Sequence, residues 1–313
     1  VIELKKVETI SRRYYNLFAM QKTFDPFPMK KTDVSRIVRF ALKEDVGRGD
    51  ITTYFLVPRI HKSRAVITTK EDAVVCGAAF ASEVFRQLDH NLRVTFRHKD
   101  GDRLKKGDVV VSLEGRTRAI LTGERVALNF LSYLSAISTQ TRRFCDAVKP
   151  YDVQILDTRK TTPGQRLMER YAVACGGGVN HRFNLNDMVL MKDNHRVISQ
   201  KKERLADTVR RLHCKTHKKV EIEVDHLWEL KDVLEAHPEM ILLDNMSVAE
   251  LKKAVALIRS SCPEGKRPLL EASGGICLKN VHAVAATGVN RISIGSLTHT
   301  RTAVDMSLEI VDE

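Results

Sequence analysis

Apolar and polar residues follow two rhythms along this chain, and the change comes near residue 118. Between about 63 and 118, the segments SRAVITTKED, LRVTFRHKDGD and DVVVSLEGRTRAI are rich in β-branched residues and alternate apolar with polar. Asp100-Gly101, Lys106-Gly107 and Glu114-Gly115 are turn signals between them. A helical stretch, AFASEVFRQL over 79–88, interrupts. This first rhythm predicts an antiparallel sheet with helices on one side. Ahead of it, Val34, Ile37, Val38 and Leu42 share one helical face, on a helix opening near Thr32-Asp33. That helix runs into a polar glycine loop, EDVGRGDITT. Residues 1–30 are basic and end in the turn-rich FDPFPMKK, so they read as an extension.

The second rhythm opens with a long helix, LTGERVALNFLSYLSAISTQTRRFCDAV, apolar at 126, 130, 134 and 137. Short apolar runs then alternate with helical stretches, the pattern of βαβ units. The predicted strands are 153–156, 188–191, 220–224, 240–243, 269–270 and 291–294, and the helices include 166–174, 200–213, 227–236 and 248–259. Ser247 and Glu250 form a capping box at the start of the last of these. Polar residues or glycines close each strand in turn: Thr158-Arg159-Lys160, Lys192-Asp193, Glu223, Asp244-Asn245, Glu271 with Ser273-Gly274-Gly275, and Gly295-Ser296. In a parallel α/β barrel these ends converge on one mouth, where active sites sit.

Composition adds exclusions. The chain has 313 residues, 43% of them hydrophobic, and no apolar run of membrane-spanning length. Charges scattered through its first residues do not fit a signal peptide, so a cytoplasmic location is expected. Six cysteines lack CxxC spacing and suggest neither a zinc site nor a dithiol motif; buried free thiols are expected. The net charge of +13 is partly local: from Arg196 to Lys219 there are nine Lys/Arg against two Asp/Glu. Ile198, Leu205, Val209 and Leu212 would share a face there, with the charges solvated opposite. Aromatics do not interleave with this run, which argues against a stacking surface for nucleic acid.

The chemistry lies at the strand ends. ASGGI and ISIGS place glycine after a buried strand and before a helix, a geometry that cradles phosphate. Glu223 and Asp244 close consecutive strands and can hold Mg²⁺, meet ribose hydroxyls or stabilise a developing cation. A structural ion pair is the alternative reading. Arg159, Lys160, His181, Arg182 and Lys192 are more cations than one carboxylate requires. A ligand set combining two carboxylates with a diphosphate explains them together, whereas a Schiff base at Lys192 leaves its neighbours unexplained.

These residues carry a resemblance. LDTRKTTPGQRLMERYAVACGGGVNHRFNLNDMVLMKDNH closely resembles the central signature of the quinolinate phosphoribosyltransferases. EDVGRGDITT, KEDAVVCG, GERVALNFLSYLSAIST, VEIEV, ILLDNMS, LEASGGI and ISIGSLTH follow in family order, so the resemblance covers about residues 32–310. It implies the type II phosphoribosyltransferase fold, an N-terminal open α/β sandwich plus a C-terminal incomplete α/β barrel. The expected divisions are a 1–30 extension, a sandwich domain over 31–128 joined by 300–313, and a barrel over 129–299. A final helix, about 300–312, would pack back on the sandwich. The implied enzyme is a pentosyltransferase joining quinolinate to phosphoribosyl diphosphate, with Mg²⁺, and losing CO₂. It would be a homodimer or an assembly of dimers, without nucleic acid or membrane. By the same resemblance Arg159, His181, Arg182 and Lys192 surround quinolinate, and Arg125 reaches in from the partner subunit. Thr158, Lys160 and Lys192 lie near the diphosphate. Glu223 and Asp244 face the ribose and the metal, directly or through water. Ser273, Gly274, Gly275 and Gly295 hold the 5′-phosphate with His299 close by, and Lys160, Glu223 and Asp244 are the catalytic set. Rival readings are a related protein of molybdenum-transport operons with another acceptor, a nucleic-acid binder using 196–219, and a Schiff-base lyase.

Overall fold

A computed structural model describes residues 29–199 and 203–311. The predicted basic extension therefore lies outside the described residues, apart from Met29 and Lys30. In chain order the first part contains α1 (Lys31–Val46), α2 (Ile51–Leu56), β1 (Lys62–Thr69), β2 (Ala73–Val74), α3 (Ala78–Leu88), β3 (Arg93–Phe96), β4 (Arg103–Leu104), β5 (Val109–Arg116) and α4 (Thr117–Val148). The second part contains β6 (Gln154–Leu156), α5 (Arg166–Cys175), β7 (Val189–Met191), α6 (Asp193–Ser199), α7 (Leu205–Lys215), β8 (Val220–Val224), α8 (Leu230–Glu235), β9 (Met240–Asp244), α9 (Val248–Ser261), β10 (Leu269–Ser273), α10 (Val281–Ala285), β11 (Arg291–Ser293), α11 (Ser296–His299) and β12 (Met306–Val311).

The two rhythms produce two sheets. The first is antiparallel, ordered β12-β1-β5-β3. Its strand β1 alternates buried Ala65, Ile67 and Thr69 with more open neighbours, as a sheet with one covered face requires. The second is parallel, ordered β6-β11-β10-β9-β8-β7. That is a barrel sequence left open between its first and second strands. Val179 pairs alongside Leu156 at the gap, and the chain from Val179 to Arg182 runs there. Strand β8 is buried along its whole length, as expected of a parallel strand covered on both sides.

Helix α4 joins the two parts without a break, so the expected division at 128/129 falls inside one continuous helix. Its buried face includes Ile120, Leu131, Leu134, Ile137 and Phe144. Gly123 marks a close approach there: a Cβ would come within 2.9 Å of Leu88 and 3.0 Å of Phe85, so those side chains would have to shift.

Four expectations need correction. The chain end is not a helix: MSLEIV alternates apolar with polar and forms β12, antiparallel to β1, on the edge of the sandwich sheet. The basic run is not one helix. Elements α6 and α7 lie on either side of residues 200–202, and Ile198 is 65% exposed while Leu205 and Val209 are buried. Many of its cations are paired, as in Arg196–Glu229, Arg204–Glu235 and Arg211–Glu203. The glycine loop after α1 is followed at once by α2, because the Asp50 carboxylate accepts from Thr53 N at 2.9 Å and caps it. The six cysteines are free, but only Cys76 is fully buried, and Cys214 and Cys277 are exposed.

Candidate active site

One cavity of about 490 Å³ opens at the C-terminal ends of the barrel strands. It is lined by Thr158, Arg159, Lys160, His181, Arg182, Lys192, Glu223, Asp244, Ser273, Gly274, Gly275, Gly295 and His299. The structure thus brings together every site residue picked out above except Arg125. Arg125 is exposed on α4 and does not line this cavity.

Each side of the cavity has a local cause. Arg159 and Lys160 follow β6, where the chain leaves the barrel wall and both side chains reach solvent. The Lys160 carbonyl accepts from Thr298 Oγ1 at 2.7 Å, tying this turn to α11. Asp157, just before them, is fully buried and accepts from the His181 N–H at 2.6 Å. Burial pushes its carboxyl up to about 6, against the pull of Arg170 and of that N–H. Arg170 also donates to the His181 carbonyl at 2.6 Å, so β6 and α5 hold the His181-Arg182 segment from two sides. Burial, and then the nearby Arg159, hold the Arg182 guanidinium below its ordinary value.

On the carboxylate side, Lys192 Nζ donates to Glu223 Oε2 at 2.6 Å. Asp244 closes β9 and accepts from the Asn245 amide at 2.7 Å. Both carboxylates offer hard oxygen donors on adjacent parallel strands, a donor set that fits Mg²⁺. On the glycine side, Gly274 has φ +90°, and a Cβ would meet Asn245 Oδ1 at 2.1 Å. Only glycine lets the β10 turn pass so close to the β9 turn. At Gly295 a Cβ would approach His299 Nε2 at 3.0 Å and Lys160 Cδ at 3.1 Å, so its absence leaves room between a histidine and a lysine.

A second layer lies beneath. His181 Nε2 is 3.2 Å from Glu221 Oε2 and 3.3 Å from Glu271 Oε1, and both carboxylates are fully buried. Arg291 Nε lies 3.5 Å from Glu271 Oε2. Burial opposes a cationic ring, whereas Glu271 and Glu221 favour one. The Arg182 N–H, however, points at His181 Nδ1 from 2.7 Å, so that nitrogen accepts and the ring proton sits on Nε2. A second ring proton would break this bond. The cluster's additional proton is better placed on Glu221, whose carboxyl is raised by burial and by Glu271. The strand-end pattern misses Glu221 as a site residue and shows Glu271 only as a strand-end polar group. The visible signal is VEIEV itself: with a period of two, Glu221 and Glu223 point to the same side of a wholly buried strand.

The comparisons with known proteins agree over both parts. The family model for the N-terminal domain of quinolinate phosphoribosyl transferase matches residues 50–135, and that for its C-terminal domain matches 137–309. A probable carboxylating nicotinate-nucleotide pyrophosphorylase of Bacillus subtilis is 35% identical over 283 residues, covering 90% of this chain and 95% of its own length. A chloroplastic carboxylating nicotinate-nucleotide pyrophosphorylase of rice is 39% identical, covering 90% of this chain and 78% of its own. Among solved structures, the nicotinate-nucleotide pyrophosphorylase of Francisella tularensis superposes with a TM-score of 0.83 at 36% identity, covering 91% of this chain and 98% of that one.

Proposed function

The chain belongs to the quinolinate phosphoribosyl transferase family, and from that premise we propose how its barrel mouth works. The reaction transfers the phosphoribosyl group of phosphoribosyl diphosphate to quinolinate with decarboxylation, giving nicotinate mononucleotide, a step of de novo NAD biosynthesis. The observation that carries the assignment of roles is the convergence of cations, carboxylates and glycines on one cavity.

Arg159 and Arg182 grip the two carboxylates of quinolinate, and His181 supports them from the wall. Arginine suits this task because its planar fork matches a carboxylate. Lys160 lies between Gly295 and the rim and faces the diphosphate, with Lys192 and the Thr158 hydroxyl nearby. Backbone N–H groups around Ser273, Gly274, Gly275 and Gly295 receive the 5′-phosphate, with His299 beside them. Glu223 and Asp244 stabilise the positive charge that develops on the ribose as the C1′–O bond lengthens. The same two carboxylates would hold Mg²⁺, which when bound neutralises charge on the diphosphate. The pyridine nitrogen becomes cationic on attacking C1′, and the ring itself then accepts the electron pair left by CO₂. The cationic pocket must orient the dianion without holding the departing carboxylate too tightly.

A homodimer belongs to the same proposal. Arg125 does not line its own cavity, and the neighbouring surface is unusually apolar: Phe40, Ile51, Tyr54, Phe55 and Leu56 are all at least 64% exposed. A two-fold contact covering that face would carry Arg125 toward the partner's mouth. Cytoplasmic residence is proposed as well, and cell fractionation tests it.

An assay of the purified chain with phosphoribosyl diphosphate, Mg²⁺ and either quinolinate or nicotinate tests the central claim. Quinolinate is expected to turn over and nicotinate to give little or no mononucleotide. Comparable turnover of the two acids would remove the basis for the two-carboxylate pocket.

A further inference from the structure

Away from the mouth, the junction of the two domains holds a cluster that the reaction does not use. Cys76 precedes α3 in the sandwich, and Cys175 ends α5 in the barrel. Their sulfur atoms and a carboxylate oxygen of Asp100 all lie within 4.8 Å of one another. The Asp100 carboxylate is already well supplied with donors. Oδ1 accepts from the Gly77 and Ala78 N–H groups, each at 3.1 Å, and Oδ2 accepts from the Tyr171 hydroxyl at 2.7 Å. It serves as a structural acceptor, which leaves two facing sulfurs with no sequence motif to announce them.

We propose that Cys76 and Cys175 are an oxidation-sensitive thiol pair that closes a reversible disulfide across the domain junction. The backbone on both sides is held in place. Cys76 N donates to Ser135 Oγ at 3.0 Å, and Ser135 Oγ donates back to the Cys76 carbonyl at 3.3 Å. After Cys175, Gly176 lies so close to α4 that a Cβ would meet Thr141 Cβ at 2.5 Å. Closure therefore falls to rotation of the two side chains rather than to movement of the domains.

The two thiols differ in access and in chemistry. Cys76 is fully buried and Cys175 is half-buried, so an oxidant reaches Cys175 first. Burial pushes the Cys76 thiol up, and the Cys76 S–H beside it draws the Cys175 thiol down. Cys175 is thus the attacking sulfur and Cys76 the resolving one. With a peroxide as oxidant, the Cys175 thiolate attacks the O–O bond, forming a sulfenic acid and releasing one water after protonation. The Cys76 sulfur then attacks the sulfenic sulfur, its proton leaves with the hydroxyl as a second water, and the S–S bond forms. Two thiols lose two electrons and two protons, and the peroxide is reduced to two waters. In a reducing compartment the pair returns to thiols by exchange.

The test uses the full chain, reduced and then treated with hydrogen peroxide at a few equivalents. Free thiols are blocked, the protein is digested, and the peptides are mapped by mass spectrometry. A peptide joining Cys76 to Cys175, lighter by two hydrogens and cleaved by dithiothreitol, is expected. The oxidised chain should melt about 5 °C or more above the reduced one, because the bond closes a loop of roughly 100 residues. Cys175→Ser should abolish both the link and the thermal shift, and mapping of the wild-type chain stands even if that variant folds poorly. Cross-links confined to Cys214 or Cys277, or sulfinic acid at Cys175 without a link, would overturn the proposal. So would one zinc ion retained per chain after incubation with zinc and desalting, and lost in Cys175→Ser, since the cluster would then be a metal site.

Discussion

The rim of the mouth and the layer beneath it use the same residue types under opposite conditions. At the rim, Arg159 and Lys160 are exposed and Lys192 has 48% of its side chain in water. Beneath, Glu221, Glu271 and Arg291 are essentially dry, and His181 sits between the two carboxylates. Rim charges cost little to keep; Arg159 and Lys160 are open to a ligand, while Lys192 must exchange Glu223 for one. Buried charges are costly to desolvate, and here Glu221 and Glu271 are held at ion-pair distance from His181 and Arg291 rather than by completed hydrogen bonds. The rim should therefore govern binding and turnover, and the layer should govern whether the wall of the pocket stays in place.

The largest effects should come from the rim arginines. Arg159→Ala and Arg125→Ala should each be nearly inactive alone. If Arg125 serves the partner's site, a mixture of the two variants regains one intact site in each mixed dimer. Half of the dimers are mixed after random reassortment, so activity should return to roughly a quarter of wild type. Co-refolded samples, with mixed dimers counted by native mass spectrometry, provide the measurement. A mixture that contains such dimers and stays inactive would place Arg125 outside the neighbouring site.

Next come the rim carboxylates. Glu223→Gln and Asp244→Asn should each lower kcat about 100-fold, the scale of losing one electrostatic contact to a transition state. Calorimetry with quinolinate alone should show affinity within about threefold of wild type. Loss of quinolinate binding with turnover intact would mean that these carboxylates face the acid rather than the ribose.

The buried layer should respond in stability instead. Glu271→Gln removes the carboxylate that faces both His181 and the buried Arg291 and should cost about 3 kcal/mol. Lys160→Met, at the exposed rim, should stay within about 0.5 kcal/mol of wild type. Urea unfolding measures both, and equal losses would erase the distinction between rim and layer.

The rim could be read from sequence and the layer largely could not, for a physical reason. A strand must end in something polar or glycine, and six such endings in series leave a mark that composition alone does not hide. Glu221 and Glu271 lie inside strands, where a lone acidic residue looks like an exposed position on an alternating strand. Only the packing of the curled parallel sheet makes both sides of β8 buried. The chain end failed differently. MSLEIV has no turn or cap to oppose a helix, and what makes it a strand is the open edge of β1, a partner more than 230 residues away in sequence. Cys76 and Cys175 are likewise brought together only by the packing of α5 against α4.

The smallest expected effect belongs to a charge pair outside the site whose arginine lies in water. On α3, Glu83 accepts from Arg86 Nε and Nη2, each at 2.6 Å, and from Gln87 Nε2 at 2.7 Å. Arg86 is the main cause holding the Glu83 carboxyl down at about 2, with burial opposing and Gln87 and Ser35 assisting. A carboxyl lower in the folded than in the unfolded chain adds stability fully present above its unfolded value, near 4.5, and lost as pH falls toward 2. Arg86 keeps 62% of its side chain in water and Glu83 13%, so solvent screens the pair from the arginine side and discounts that shift. Glu83→Gln should cost about 0.5 kcal/mol at pH 7. In urea titrations from pH 7 to pH 3 the gap between wild type and variant should hold to about pH 5 and then narrow. A gap of 3 kcal/mol or more, or one that widens on acidification, would show that exposure does not separate weak pairs from strong ones in this protein.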